Sequence, residues 1–354
     1  MMARLEEICA INMGQSPDSS TYNEDGNGLP FFQGNADFGE IYPAVRMWCS
    51  EPTKIAREKD ILISVRAPIG ALNIANCECC IGRGLAALTV NEDICAQEYL
   101  WHALSGKVDE LNSKGTGSTF KAINKKTLSE TEIPLPPIDE QRKIAAILDK
   151  VSDLIAKRQQ QLDKLDEAVK ARFVEIFGDC YTNPHNLPIE KWNNIFSTTT
   201  GKLDSNAAVE NGKYPFFTCS KETSRINTYA FDQEALLLAG NNAAGKYDVK
   251  YYCGKFNAYQ RTYVLSLKHD WSYALFRFQL EDKLGYLEQQ SLGGLTKYLT
   301  LKILNELEFI VPPKEEQDKF AAFVDQIEKT KTTVSHSLEK LETLKKALMQ
   351  EYFR

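Results

Sequence analysis

One run of residues occurs twice in this chain, at a constant offset. Pro136 and Pro137 match Pro312 and Pro313, Glu140-Gln141 match Glu316-Gln317, Ala145-Ala146 match Ala321-Ala322, and Asp149 matches Asp325. The match runs on through Leu162, Lys164 and Leu165 against Leu338, Lys340 and Leu341, and ends with Phe177 against Phe353. The period is about half of the 354-residue chain, too long for a solenoid, whose repeats run to roughly 20–50 residues. Such a period means two copies of one module, each a globular head followed by a long helix.

The helical part of each copy has a start signal. Pro-Pro precedes an acidic first turn, Asp139-Glu140 or Glu315-Glu316. Proline suits the first turn of a helix, and carboxylates favour the positive end of its dipole. Apolar residues then recur at three- and four-residue steps. In the first copy they are Ile144, Ile147, Val151, Leu154, Leu162, Leu165, Val169, Phe173 and Ile176. In the second they are Phe320, Phe323, Ile327, Val334, Leu338, Leu341, Leu344 and Leu348. Both shift phase just before Leu162 and Leu338, as a stutter does. The spacing predicts two uninterrupted helices of roughly 38 residues, about 57 Å each. Matching stutters make each helix the other's partner in an antiparallel coiled coil; the competing reading packs each stripe on its own head.

The heads repeat more loosely. Leu29-Pro30-Phe31-Phe32 is echoed by Tyr214-Pro215-Phe216-Phe217, Gly14 by Gly201, and the strand Asp60–Val65 by Ala235–Ala239. Ile81–Leu88, which holds Gly82-Arg83-Gly84, is echoed by Tyr259–Leu265, which holds Gln260-Arg261. Short apolar runs bounded by Gly, Asn and Asp predict strand-rich heads with long loops, each followed by a helix near 97–111 and 271–284. The expected fold is α+β: two similar β-rich domains separated by a pair of long antiparallel coiled-coil helices, with pseudo-two-fold symmetry. The division is a first head at 1–137, a central helix at 138–178, a linker at 179–191, a second head at 192–311 and a C-terminal helix at 312–354.

Composition excludes several classes. No apolar run approaches the roughly 18 residues of a membrane span, and the N-terminus has no signal-peptide core. Nine scattered cysteines point to a reducing, cytoplasmic setting. Residues 1–137 carry 12 basic and 18 acidic side chains, and 192–311 carry 13 and 12, so any contact with nucleic acid must use local patches. Gly240–Tyr247 falls one residue short of a phosphate-binding loop. Tyr247 cannot replace the magnesium-ligating Ser or Thr, and Tyr247–Cys253 alternates like a strand where a helix is needed. Gly115–Thr119, matched by Gly293-Gly294, reads as a turn. Cys77-x-Cys79-Cys80 could join Cys49, Cys95 and His102 in a zinc site, but it is one tight cluster with no echo in the second head, so buried free thiols are the better reading. No methyltransferase or nuclease motif is present. The chain reads as non-catalytic, with no metal or cofactor of its own.

Pro-Leu-Pro-Pro-x-x-Glu-Gln-x-x-Ile-Ala opening the first helix and Val-Pro-Pro-x-x-Glu-Gln opening the second are informative together. With the Pro-Phe-Phe heads and Phe177-Gly178-Asp179…Asn183-Pro184 after the first helix, they resemble the specificity subunit of type I restriction-modification enzymes. The resemblance covers nearly the whole chain. It implies that each head reads one half of a bipartite double-stranded DNA target. It also implies that the paired helices space the heads and dock two methyltransferase subunits, joined by restriction/translocase subunits. S-adenosylmethionine, ATP and magnesium would then sit on those partners only. On this reading Glu140, Gln141, Glu316 and Gln317 are docking candidates. Arg83, Gln260 and Arg261 head the candidates for reading bases, because Arg suits guanine and Gln suits adenine. Gln33, Asn35, Asn241 and Asn242 come next, with Lys114, Lys121, Lys202, Lys221 and Lys246 as phosphate positioners. Rival readings are a catalytic chain, a duplicated protein-interaction adaptor, and the specificity part of a methylation-only system.

Overall fold

A computed structural model describes residues 1–117, 121–243 and 245–353. They form two compact units, Met1–Gln159 with His336–Arg354, and Gln160–Ser335. The boundary cuts both long helices, so neither helix is a domain of its own.

In the first unit an antiparallel sheet orders Cys9–Met13, Leu85–Val90, Ile61–Ser64 and Leu72–Ile74. Beside it, Leu29–Phe32 runs parallel to Cys79–Ile81 in a second sheet. Side chains alternate between faces along a strand, and here both faces are covered. Ile61 and Ile63 join Ala86 and Leu88 in a core with Tyr99, Leu100 and Leu104 of the helix Gln97–Ser105. Leu62 joins Leu85, Ala87, Phe32 and Ile81 on the other face. Two-sided burial is why these strands read as unbroken apolar runs. The second unit repeats the scheme. Leu236 and Leu238 face one core, while Ala235 and Leu237 face another. There the long strand Val249–Ala258 spans what the first unit splits between two strands, giving one six-stranded sheet. The echoed glycines mark close backbone approach. A Cβ at Gly14 would lie 2.2 Å from the Gly82 carbonyl oxygen, and one at Gly201 would lie 1.8 Å from that of Ala258.

Each head closes on a short strand pair, Met2–Arg4 with Glu132–Pro134 and Ile189–Lys191 with Glu308–Ile310. The second pair corrects the expected linker: residues 189–191 belong to the second head, through ladder hydrogen bonds that a three-residue strand does not announce. The single helix expected near 97–111 is two, Gln97–Ser105 and Val108–Ser113, parted at Gly106. Its counterpart is Tyr273–Asp282 and Leu284–Gln290. No glycine or proline marks that second break. Lys283 sits there, buried, with its ammonium 4.7 Å from the Tyr181 ring centroid and 5.5 Å from that of Phe309.

The long helices are Ile138–Phe177 and Lys314–Phe353, 40 residues each. In the first unit Ile144, Ala145 and Leu148 share a core with Phe353, whose ring lies 5.2 Å from that of Tyr99. In the second, Phe173 and Phe177 each lie 5.7 Å from Phe320. The start of one helix thus meets the end of the other in both units, so they run antiparallel. The two expected roles of the stripe coexist, since its ends bury against the head as well as the twin. Ile147, Leu154 and Leu344, expected inside the stripe, are 43%, 37% and 46% exposed. Among the described residues no helix is long and apolar enough to cross a membrane.

Candidate nucleic-acid interface

Backbone hydrogen bonds fix which residues of the two heads correspond. Gly82 N–H donates to the Phe32 carbonyl at 2.8 Å, and Tyr259 N–H to that of Phe217 at 2.9 Å. Val65 N–H donates to the Gly84 carbonyl at 2.9 Å, and Gly240 N–H to that of Arg261 at 2.9 Å. Ile123 N–H donates to the Val65 carbonyl at 2.9 Å, and Leu299 N–H to that of Gly240 at 2.8 Å. Arg83 therefore corresponds to Gln260, Gly84 to Arg261, Arg66 to Asn241, and Lys121 to Lys297. The sequence echo left Arg83 between Gln260 and Arg261; the ladder places it on Gln260.

In the first unit these positions surround two adjoining open cavities. Gln33, Arg66 and Arg83 line one of about 420 Å³. Gln33, Asn35, Arg66 and Arg46 line the other, of about 410 Å³. Arg46 reaches Asp37 at 3.2 Å. Lys121 lies one strand away, its carbonyl accepting from Ala67 N–H at 3.0 Å. Lys114 instead pairs with Glu110 at 2.6 Å. Of the glycine turn at 115–119, Ser118 and Thr119 lie outside the described residues.

In the second unit Asn241-Asn242 pairs with Lys297-Tyr298. Gln260 N–H donates to the carbonyl of Leu203, the neighbour of Lys202, and its Nε2 lies 3.4 Å from Asp204 Oδ2. Cys219 Sγ, two residues before Lys221, donates to the Arg261 carbonyl at 3.4 Å. The Gly240–Tyr247 loop leads into the strand Val249–Ala258 rather than into a helix, so it lacks the helix N-terminus that a phosphate loop needs. Ala244 of this loop lies outside the described residues. Lys246 is exposed beside Gly245, at which a Cβ would lie 3.3 Å from Lys297 Cγ.

Sequence reading missed Arg66 and Lys297. A signal was present for Arg66: extending the echo of Asp60–Val65 with Ala235–Ala239 as far as Asn241 sets Arg66 opposite it. Of the clustered cysteines, Cys77 is half-buried. Cys49, Cys79, Cys80 and Cys95 are all buried. Burial pushes the thiols of Cys79 and Cys95 up to about 12, as for buried free thiols.

The docking candidates divide. Glu140 is exposed and Glu316 half-buried, whereas Gln141 and Gln317 are 0% and 1% exposed. Gln141 Oε1 accepts from Ala96 N–H at 2.9 Å, and its Nε2 donates to the carbonyls of Ile94 at 3.1 Å and Pro136 at 2.8 Å. Gln317 Oε1 accepts from Ser272 N–H at 2.9 Å, and its Nε2 donates to the Pro312 carbonyl at 2.8 Å. Ala96 and Ser272 are the N-cap residues of the head helices. The repeated glutamine is therefore a clamp between long helix and head. The docking role expected of Gln141 and Gln317 is corrected, because their hydrogen-bonding groups are used inside the fold.

A family of known sequences shares this arrangement. The family model described as the type I restriction modification DNA specificity domain matches residues 1–167 and, again, residues 191–343. The chain belongs to this family. The two matched segments of the specificity family are the two copies of the repeat. Over 165 residues, 47% of this chain and 39% of the relative, the sequence is 44% identical to the putative type I restriction enzyme MjaX specificity subunit of Methanocaldococcus jannaschii. It is 36% identical to the type I restriction enzyme EcoDI specificity subunit of Escherichia coli over 162 residues, 44% of this chain and 35% of that one. These matches span well under half the length of either relative. A crystal structure of the type I restriction-modification system S subunit from M. genitalium aligns over 100% of this chain and 96% of its own, with a TM-score of 0.70 at 15% identity. At that identity the likeness concerns the fold.

Proposed function

We propose that this chain is the DNA-recognition subunit of a type I restriction-modification complex. Each head reads one half of a bipartite, asymmetric target in double-stranded DNA. The long helices dock two methyltransferase subunits, and restriction subunits join that core. Chemistry resides on the partners, which would carry S-adenosylmethionine, ATP and magnesium in the cytoplasm. One observation carries the reading: the two heads present the same turn at the same place in the fold, with different polar side chains on it, Arg83 in one and Gln260 in the other. A shared scaffold with divergent loop residues suits two versions of one ligand. Docking finds support in Ile147, Leu154 and Leu344, apolar side chains left exposed on the long helices, where a partner helix would gain burial.

The test is filter binding of duplex DNA by the chain alone and with its methyltransferase partner. The net charge of -6 leaves few cations to meet phosphate, so the lone chain should bind weakly. With about four phosphate contacts, its affinity should fall by about a hundredfold between 50 and 200 mM salt. The partner should raise affinity and confer sequence preference. Tight, salt-independent binding by the lone chain, or binding to proteins but not to DNA, would overturn the proposal. Modification without cleavage in the full system would point to a methylation-only system.

A further inference from the structure

Positions that correspond in the two heads differ in a consistent chemical direction. Arg66 of the first head stands where the second has Asn241, and Arg83 stands where the second has Gln260. Each pair comes from adjoining backbone: the residue before Arg66 donates to the carbonyl of the residue after Arg83, and the residue before Asn241 donates to that of the residue after Gln260. Arg66 and Arg83 are exposed and line one cavity together with Gln33. Gln260 is exposed and Asn241 half-buried. The backbone bridge at the first pair is also shared, Arg66 with Ala122 and Asn241 with Tyr298.

Guanidinium offers only donors, and its fork fits the two acceptors, O6 and N7, of guanine. A carboxamide offers one donor edge and one acceptor, which fits N7 and the N6 amino group of adenine. Resting on the DNA-recognition reading above, we infer that Arg66 and Arg83 make the first head's half-site require G·C pairs at the two positions where the second head's half-site takes A·T pairs through Asn241 and Gln260. Arg66/Asn241 is thus a specificity-determining pair. Arg261 has no counterpart side chain in the first head, where Gly84 stands at its position.

The experiment uses the full chain assembled with its methyltransferase partner and the duplex that this complex modifies. Every single base-pair change in each half-site is placed in competition, for the natural complex and for Arg66→Asn and Arg83→Gln. The natural complex should reject loss of either guanine by about tenfold to a hundredfold. Arg66→Asn should reduce that rejection to within about threefold at one G·C pair of one half-site, and Arg83→Gln should do so at another. Discrimination elsewhere should be kept. Asn241→Arg should shift one pair of the other half-site from A·T towards G·C. A variant that assembles like the natural chain yet weakens all duplexes by one common factor, as loss of a phosphate contact would, overturns the inference while the natural complex still shows its bipartite preference. If the natural complex shows no sequence preference at all, the DNA-recognition reading itself fails.

Discussion

Replacing Gln141 by alanine is expected to cost the first unit about 3 kcal/mol, because one buried side chain satisfies three backbone groups. Ala96 N–H and the carbonyls of Ile94 and Pro136 all lose their partner. A buried group left unpaired costs about 1–3 kcal/mol, and some relaxation offsets the sum. For a unit of this size, each kcal/mol shifts the melting temperature by roughly 2–4 °C, so calorimetry should show a fall of about 6–12 °C. Gln141→Glu should lower it further, since a carboxylate would face two carbonyl oxygens in a site that strips it of water. Glu140→Ala, one residue away and exposed, should stay within about 0.5 kcal/mol. Gln317→Ala should reproduce the loss in the second unit, where Ser272 N–H and the Pro312 carbonyl are released. If Gln141→Ala melts like the natural chain but no longer co-purifies with a methyltransferase, the side chain serves docking and the clamp assignment fails.

The same glutamine shows where sequence reasoning carries and where it stops. The repeat made Glu140-Gln141 and Glu316-Gln317 visible as a matched motif, but sequence does not report which side chain of a helix's first turn points inward. Matching alone therefore gave both residues one role. Coordinates separate them by burial. The long helices were legible almost to the residue because a three-to-four step, a Pro-Pro start and a stutter agree over 40 residues. The strand Ile189–Lys191 was not, because its place comes from Glu308–Ile310, more than a hundred residues later. Arg83 and Gln260 could be picked out as turn residues of the right chemistry. Their equivalence needed the hydrogen bonds around Gly82 and Tyr259, since an echo with an uneven number of residues leaves the register open. Arg66 has no such mark, because it lies just past the apolar strand Ile61–Ser64, outside its alternating pattern.

The clamp geometry also bears on exchanging whole heads. The first long helix is joined to its head through Ala96 N–H and the Ile94 carbonyl, main-chain groups that a foreign head of the same fold would also supply. The first head closes on itself through Met2–Arg4 paired with Glu132–Pro134. Its candidate base readers, Gln33, Asn35, Arg66 and Arg83, all lie within that closed segment. Grafting another family member's first head over residues 1–137, with Gln141 retained, is therefore expected to replace one half of the modified sequence and leave the other intact. Two mismatched base pairs cost about 2–6 kcal/mol, so preference for the old half-site should fall by about thirtyfold to twenty-thousandfold. Methylome sequencing of cells expressing the graft with its partners reads both halves at once. The corresponding graft of the second head should begin at residue 189, because a junction at 192 would set this chain's Ile189–Lys191 against a foreign counterpart of Glu308–Ile310. A junction at 192 should melt earlier than one at 189 while carrying the same loops. If either well-folded graft alters both halves of the modified sequence together, the heads do not read independently, and the modular account of this chain is wrong.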